Sequence, residues 1–251
     1  MTALESSESL ERATRAIRDK PALRAFYHQA YAKFADCVAR CPPGGGGVLE
    51  LGSGGGFLRE VLPDVVTSDV LPYPGVDNVV DATRMQFADA SLRAILMLNV
   101  FHHIADCAAF LRESARCLVP GGRVFMVDQY PGWLSTPIFR YVHHEGFAPD
   151  AASWTFASSG PLSSANGALA WIVFERDRAR FDREFPELEV AQFAPHTPLL
   201  YWLSGGLKSW SLVPGFGVGP AARLDRALAR LSPGACSFVD VELVRRAAPA
   251  R

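Results

Sequence analysis

Three groups of residues in this 251-residue chain could do chemistry. The first is Glu50-Leu-Gly52-Ser53-Gly54-Gly-Gly56, a carboxylate followed by closely spaced glycines. Glycine lacks a Cβ, so such a run lets the backbone approach a small molecule closely. A triphosphate loop would need Lys and then Ser or Thr after its last glycine, and here Phe57, Leu58 and Arg59 follow. A G-x-G-x-x-G dinucleotide loop read from Gly52 needs a glycine where Phe57 stands. The second group is the doublet His102-His103 with Asp128 downstream. A carboxylate on one imidazole nitrogen fixes the tautomer and raises the basicity of the other, which suits proton removal from a hydroxyl. The third is His143-His144-Glu145. Neighbouring histidines point apart in most backbones, so the triplet alone is not expected to hold a metal, and no metal site is expected. A cation bridging both histidine groups stays open as an alternative, although the acidic cluster expected around it is lacking.

These residues need elements to position them. Residues 5–20 read as a short polar helix ended before Pro21, and apolar residues at helical spacing predict a helix over 22–40, broken by "CPPGGGG". Five strands follow, at 47–51, 65–70, 76–82, 92–99 and 123–129, with helices expected at 57–63 and 106–118 and a turn at "VPGG" (119–122). A helix over 168–185 precedes strands at 188–193 and 237–244. Strands that are apolar throughout, alternating with helices, imply a parallel sheet covered on both faces. The expected fold is a Rossmann-like, doubly wound α/β sheet of seven mostly parallel strands. Residues 1–251 form one domain in this reading, with 1–44 a helical lid and 45–128 the cofactor-binding core. Residues 129–164 and 195–234 are insertions on the substrate side.

In order, these features resemble motif I and its downstream acids in the class I S-adenosylmethionine-dependent methyltransferases. Glu50–Gly56 resembles the family's E/D-x-G-x-G-x-G, Asp69 ends the second strand, Asp81-Ala82 follows the third, and "LNVFHHI" closes the fourth. "LVPGGRVFMVD" resembles the family's turn into strand five. The resemblance is dense over 45–128 and implies S-adenosylmethionine as cofactor, with S-adenosylhomocysteine as product. It implies a cofactor site of Glu50, Gly52, Ser53, Gly54, Gly56, Asp69, Val70, Asp81, Ala82 and Asn99. Asp69 would take the ribose hydroxyls and Asp81 the adenine amino group. It also makes strands four and five neighbours, so that His102 and Asp128 could meet as a catalytic dyad, with His103 the next candidate base. Tyr27, His143 and His144 are candidate acceptor contacts.

The expected activity is methyl transfer to a hydroxyl oxygen of a small hydrophobic, polyketide-, lipid- or sugar-like acceptor, free or carrier-bound. Two other classes stay open: a protein of this fold that binds the cofactor without methylating (a cyclase, isomerase or inactive partner subunit), and a nicotinamide-dependent oxidoreductase. A net charge of −1 gives no electrostatic reason to bind nucleic acid. No stretch approaches the ~20 apolar residues that span a bilayer, and the polar start has no signal-peptide core. Five cysteines without C-x-x-C spacing read as reduced thiols in the cytoplasm. All five tryptophans fall in the second half, and Lys208 is the only charged residue between Val190 and Ala222. Those apolar insertions leave peripheral membrane contact open, and oligomeric state is not legible.

Overall fold

The computed structural model describes residues 7–143, 145–158, 160 and 164–247. Helices α1 (Ser7–Asp19) and α2 (Pro21–Ala39) come first, separated by Pro21, which suits a first helical turn and ends the preceding helix. Strands β1 (Gly47–Leu51), β2 (Val66–Asp69), β3 (Asn78–Val79) and β4 (Leu92–Leu98) follow, then helix α3 (Cys107–Cys117) and strand β5 (Leu118–Gln129). Strands β6 (Leu188–His196) and β7 (Phe238–Arg245) complete a seven-stranded sheet of order β3-β2-β1-β4-β5-β7-β6. β7 is antiparallel to both its neighbours, and the other pairs are parallel. The expected doubly wound, mostly parallel sheet is therefore present.

Alternation along each strand sends successive side chains to opposite faces. Val48, Leu96, Phe125 and Val127 pack with Phe26, Tyr31 and Phe34 of α2. Leu49, Ile95, Met97, Val124 and Met126 pack with Phe110 and Leu111 of α3 and with Phe174 and Phe181. β1 and β4 are neighbours at the point where strand order reverses, so their carboxyl ends frame the crevice where such sheets bind ligands.

The structure departs from the sequence reading at several places. No α-helix covers 57–63; a single 3-10 turn, Leu58–Glu60, joins the glycines to β2. Three glycines before it and Pro63 after it leave too short a helix-competent run. "VPGG" lies inside β5 as an irregularity: Leu92 pairs with Leu118, and Ala94 already with Arg123. The two segments read as insertions, 129–164 and 195–234, carry helices α4 (Ser135–Tyr141), α7 (Leu200–Leu203) and α8 (Val218–Leu231). The helix expected over 168–185 is divided into α5 (Leu169–Trp171), a π turn (Ile172–Arg176) and α6 (Arg178–Glu184). The π turn closes where the Asp177 N–H donates to the Ile172 carbonyl at 2.8 Å. Asp177 Oδ2 accepts from the buried Trp154 Nε1 at 2.8 Å and from Arg176 Nη2 at 2.9 Å.

Candidate active site

The four glycines after β1 face different surroundings. A Cβ on Gly52 would lie 2.4 Å from Val100 Cγ2, and one on Gly56 would lie 2.3 Å from Tyr31 Oη. One on Gly55 would meet the backbone of α1, 2.8 Å from the Thr14 nitrogen. Three of the four are small because the protein itself packs there. Gly54 differs: it holds φ +45°, and its Cβ would meet only the Gly52 carbonyl oxygen, at an ordinary contact distance of 3.9 Å. A cleft of about 230 Å³ lies alongside, walled by Leu10 and Thr14 of α1, the glycines, Glu50 and Phe57.

Buried acids stand at the tips of β1 and β2. Glu50 is 3% exposed; burial pushes its carboxyl up to about 7, with Asp69 adding to the rise and Ser53 and Arg59 opposing it. Burial likewise raises the Asp69 carboxyl, while hydrogen bonds from the Leu71, Gly54 and Val70 amides oppose the rise. The Gly54 N–H donates to Asp69 Oδ2 at 3.1 Å, so the second strand's carboxylate fixes this glycine. Ser53 ties the loop to β2 twice, donating its N–H to the Ser68 carbonyl (2.8 Å) and accepting the Ser68 N–H on Oγ (3.1 Å). Val70 is exposed beside Asp69, and Ala82 packs partly buried against the α3-side core. Asp81 is exposed, and its Oδ1 accepts from the Thr83 N–H (2.8 Å) and hydroxyl (2.7 Å). Asn99, past the end of β4, adopts φ +57° and donates its N–H to the Val127 carbonyl. Its buried Oδ1 has no hydrogen-bond partner among the described residues.

A second cluster forms past the ends of β4 and β5. Phe101–His103 make a 3-10 turn, with Phe101 buried against Phe110 and Phe174. His102 Nδ1 lies 2.6 Å from Asp128 Oδ1, and the His102 N–H donates to Asp128 Oδ2 at 3.3 Å. Both side chains are essentially sealed, at 1% and 0% exposure. On the other side, His102 Nε2 is 3.2 Å from Glu145 Oε2, and His103 Nε2 is 3.6 Å from Glu145 Oε1. Burial pulls the His102 imidazole down, but Asp128 and Glu145 outweigh it and raise the group to about 10. Burial opposes ionisation of Glu145, yet both histidines hold its carboxyl far below the usual range. Gln129 Nε2 also donates to Glu145 Oε2, at 2.9 Å.

The sequence left a meeting of the two histidine groups open only as an alternative; the chain folds Glu145 onto His102 and His103. Asn166 makes this junction, donating its N–H to the His102 carbonyl at 2.9 Å. Its carboxamide accepts from the Ala148 N–H (3.0 Å) and donates to the Ala148 carbonyl (3.1 Å). Gln129 and Asn166 escaped the sequence reading because their partners lie across a long irregular segment. Glu145 was legible only as part of its triplet. Of the candidate acceptor contacts, His143 Nδ1 lies 3.5 Å from Glu145 Oε2, whereas His144 lies outside the described residues. Tyr27 stands elsewhere, among Phe26, Tyr31 and Phe57, and burial, then Tyr201 and Glu50, push its hydroxyl well above the usual range.

Residues 49–126, spanning β1 to β5, match the family model of the methyltransferase domain. A chain of the Haloferax volcanii complex with the Trm112 methyltransferase activator superposes with TM-score 0.56 at 17% identity, over 99% of this chain and 100% of that one. Geranyl diphosphate C-methyltransferase from Streptomyces coelicolor, bound to Mg2+, geranyl diphosphate and S-adenosylhomocysteine, gives 0.53 at 14% identity, over 90% and 81%. Haemonchus contortus phosphoethanolamine N-methyltransferase 2, bound to phosphomonomethylethanolamine and S-adenosylhomocysteine, gives 0.54 at 14%, over 98% of this chain and 59% of that one. At these identities the likeness is one of fold. The likeness to the methyltransferase domain is carried by residues 49–126, and over the rest of the chain the likeness to these structures is one of fold. No helix among the described residues is long and apolar enough to cross a membrane.

Proposed function

We propose that the protein transfers a methyl group from S-adenosylmethionine to a hydroxyl oxygen of a small acceptor. The residues present suit the cofactor: the uncrowded Gly54, the unpartnered Asn99 Oδ1, and two buried carboxylates on adjacent strand tips. Glu50 suits its ammonium group, directly or through water, and Asp69 its ribose, with Gly52, Ser53 and Gly56 shaping the loop and Val70, Asp81 and Ala82 flanking the adenine side. The bound cofactor supplies an activated methyl on sulfur with a neutral leaving group. The protein then has to hold the acceptor oxygen in line and take its proton.

The observation that carries the oxygen-directed reading is the sealed His102–Asp128 contact of 2.6 Å with Glu145 on the opposite ring nitrogen. In this reading the acceptor hydroxyl is received where His102 Nε2 and Glu145 meet. His102, once its Nε2 has released the proton it shares with Glu145, takes the hydroxyl's proton there, and Asp128 holds the imidazole in register. His103 and His143 border the same carboxylate and are candidate acceptor contacts. Residues 1–44 serve as lid, 45–128 as cofactor core, and 129–164 and 195–234 as the acceptor side of one domain. Exposed Trp133, Tyr141, Leu212 and Phe216 on those segments support an acceptor with an apolar portion, lipid-like or carrier-bound. The five unpaired, buried cysteines agree with a reducing compartment such as the cytoplasm.

Calorimetric titration with S-adenosylhomocysteine tests the cofactor; absence of binding at ~1 mM, worth only ~4 kcal/mol, would sink the reading. His102→Ala tests the rest. It should keep S-adenosylhomocysteine affinity while slowing transfer about 10²–10⁴-fold. Near-normal turnover would leave positioning alone as the source of rate.

A further inference from the structure

We infer that His102, His103 and Glu145 form a binding site for a divalent first-row transition-metal ion of the zinc type, with open coordination positions for an oxygen of the acceptor. This deepens the proposed function and relies on it only for the place of the acceptor; the ion site stands on its own geometry.

The donor atoms already converge. One atom from each of the three side chains lies within 4.8 Å of the others. The His102 Nε2 to Glu145 Oε2 and His103 Nε2 to Glu145 Oε1 separations are 3.2 and 3.6 Å. Two ligands at 2.0–2.2 Å from one ion at tetrahedral angles stand about 3.3–3.6 Å apart, so both imidazole–carboxylate pairs already stand near ligating distance. The two imidazole rings approach with centroids 4.2 Å apart and planes 40° from parallel, so neighbouring histidines serve one point here.

The outer contacts point the same way. His102 Nδ1 donates to the Asp128 carboxylate at 2.6 Å, and His103 Nδ1 donates to the Ser164 carbonyl at 3.2 Å. Neither acceptor can donate, so each ring carries its proton on Nδ1. Loss of the Nε2 proton to solvent on ion binding therefore leaves on each ring a lone pair turned toward the point shared with Glu145. A carboxylate or carbonyl on the far nitrogen is the usual support of a metal-bound histidine. The Gln129 amide orients the third ligand through Glu145 Oε2.

Two imidazoles and one carboxylate favour Zn2+, Co2+ or Fe2+ over Mg2+ or Ca2+, which prefer all-oxygen shells. Three protein ligands leave a position for water or substrate, the pattern of reactive rather than structural sites. The opening lies on the side of His103 and Glu145, at 15% and 18% exposure against 1% for His102. An acceptor hydroxyl coordinated there would lose its proton more readily, and an acceptor with two neighbouring oxygens would be held in one orientation.

The test uses the full chain stripped with a chelator and titrated with Zn2+ by calorimetry near neutral pH. One equivalent should bind, and His102→Ala and Glu145→Gln should each weaken it by more than about 100-fold. Asp128→Asn, which alters only the outer contact, should weaken it about 10–100-fold. Absence of binding by the unaltered chain, or unchanged affinity in folded His102→Ala and Glu145→Gln, overturns the inference. Co2+ gives an independent reading should a variant fail to fold. Visible bands without a thiolate charge-transfer band support imidazole and carboxylate ligation, and a thiolate band moves the ion to the cysteines and overturns it. Ion binding without methyl transfer would count against the proposed function while leaving the site intact. Methyl transfer by chain that binds no ion would do the reverse.

Discussion

Asn166 is bonded to the backbone of His102: its N–H donates to the His102 carbonyl at 2.9 Å, although 64 positions separate them in the chain. That donor is the backbone N–H; the side-chain carboxamide accepts from the Ala148 and Ala168 amides at 3.0 and 3.1 Å. One residue thus ties the turn bearing His102, through its backbone, to the segment that follows Glu145, through its side chain. Asn166→Ala should destabilise the fold by about 1–3 kcal/mol, since it leaves the Ala148 and Ala168 amides without their acceptor, as read from urea unfolding. In the residual folded protein, turnover should fall while S-adenosylhomocysteine affinity holds.

The glycines after β1 should separate into two classes when each is changed to alanine. At Gly55 and Gly56 the new methyl would strike Thr14 or Tyr31, so stability should fall by about 1–3 kcal/mol through overpacking. At Gly54 there is space, and the cost is the left-handed φ of +45°, about 1–2 kcal/mol. Gly54→Ala should instead weaken S-adenosylhomocysteine binding by far more than it lowers the melting temperature, measured on one preparation by calorimetry and thermal unfolding.

Glu50 gives a pH dependence with a definite sign. Its carboxyl is raised by burial to about 7 in the folded chain, against an ordinary value of 4.5. The native state therefore favours the protonated form. The associated stability is complete below pH 4.5 and disappears as pH rises through about 7, amounting to about 3 kcal/mol at most. Relative to Glu50→Gln, the unaltered chain should lose up to that amount between pH 4 and pH 8 in urea unfolding. A cofactor ammonium group would favour the ionised form, so S-adenosylhomocysteine binding near pH 6 should release a proton, seen as buffer-dependent calorimetric heats. Absence of release would separate Glu50 from the ammonium.

Asp128→Asn keeps the size of the side chain and removes its charge from a fully buried position beside His102. Turnover should fall about 10²–10⁴-fold with cofactor affinity maintained, because the amide no longer favours a proton on the facing imidazole nitrogen. A fall in S-adenosylhomocysteine affinity instead would assign Asp128 to the cofactor pocket.

The sheet was legible because its inner strands hold unbroken apolar runs, as in "AILML" (94–98) and "VFMV" (124–127), which suit a sheet covered on both sides. Glu50, Asp69 and the glycines were legible for a local reason: they stand within a few residues of strand ends that the sequence marks clearly. Glu145 was harder. It reaches His102 by way of a long segment rich in Pro, Gly and Ser, and nothing in the periodicity tells where such a segment returns. The π turn at Ile172–Arg176 was hidden because one extra residue per turn preserves the apolar run while shifting the face it presents. Helix α8 was overlooked because Gly217, Gly219 and Pro220 surround its start.

The 3-10 turn that replaces a helix after the glycines also bears on what the crevice can attract. Fold relatives that grasp phosphate use the positive end of a long helix, where aligned peptide dipoles and unsatisfied amides converge on the anion. Three residues of tight turn, Leu58–Glu60, supply almost no such field, and the carboxyls of Glu50 and Asp69 stand at the neighbouring strand tips. The crevice thus lacks the helix-end attraction that draws phosphates, and whenever those carboxyls are ionised they favour a molecule presenting a positive head.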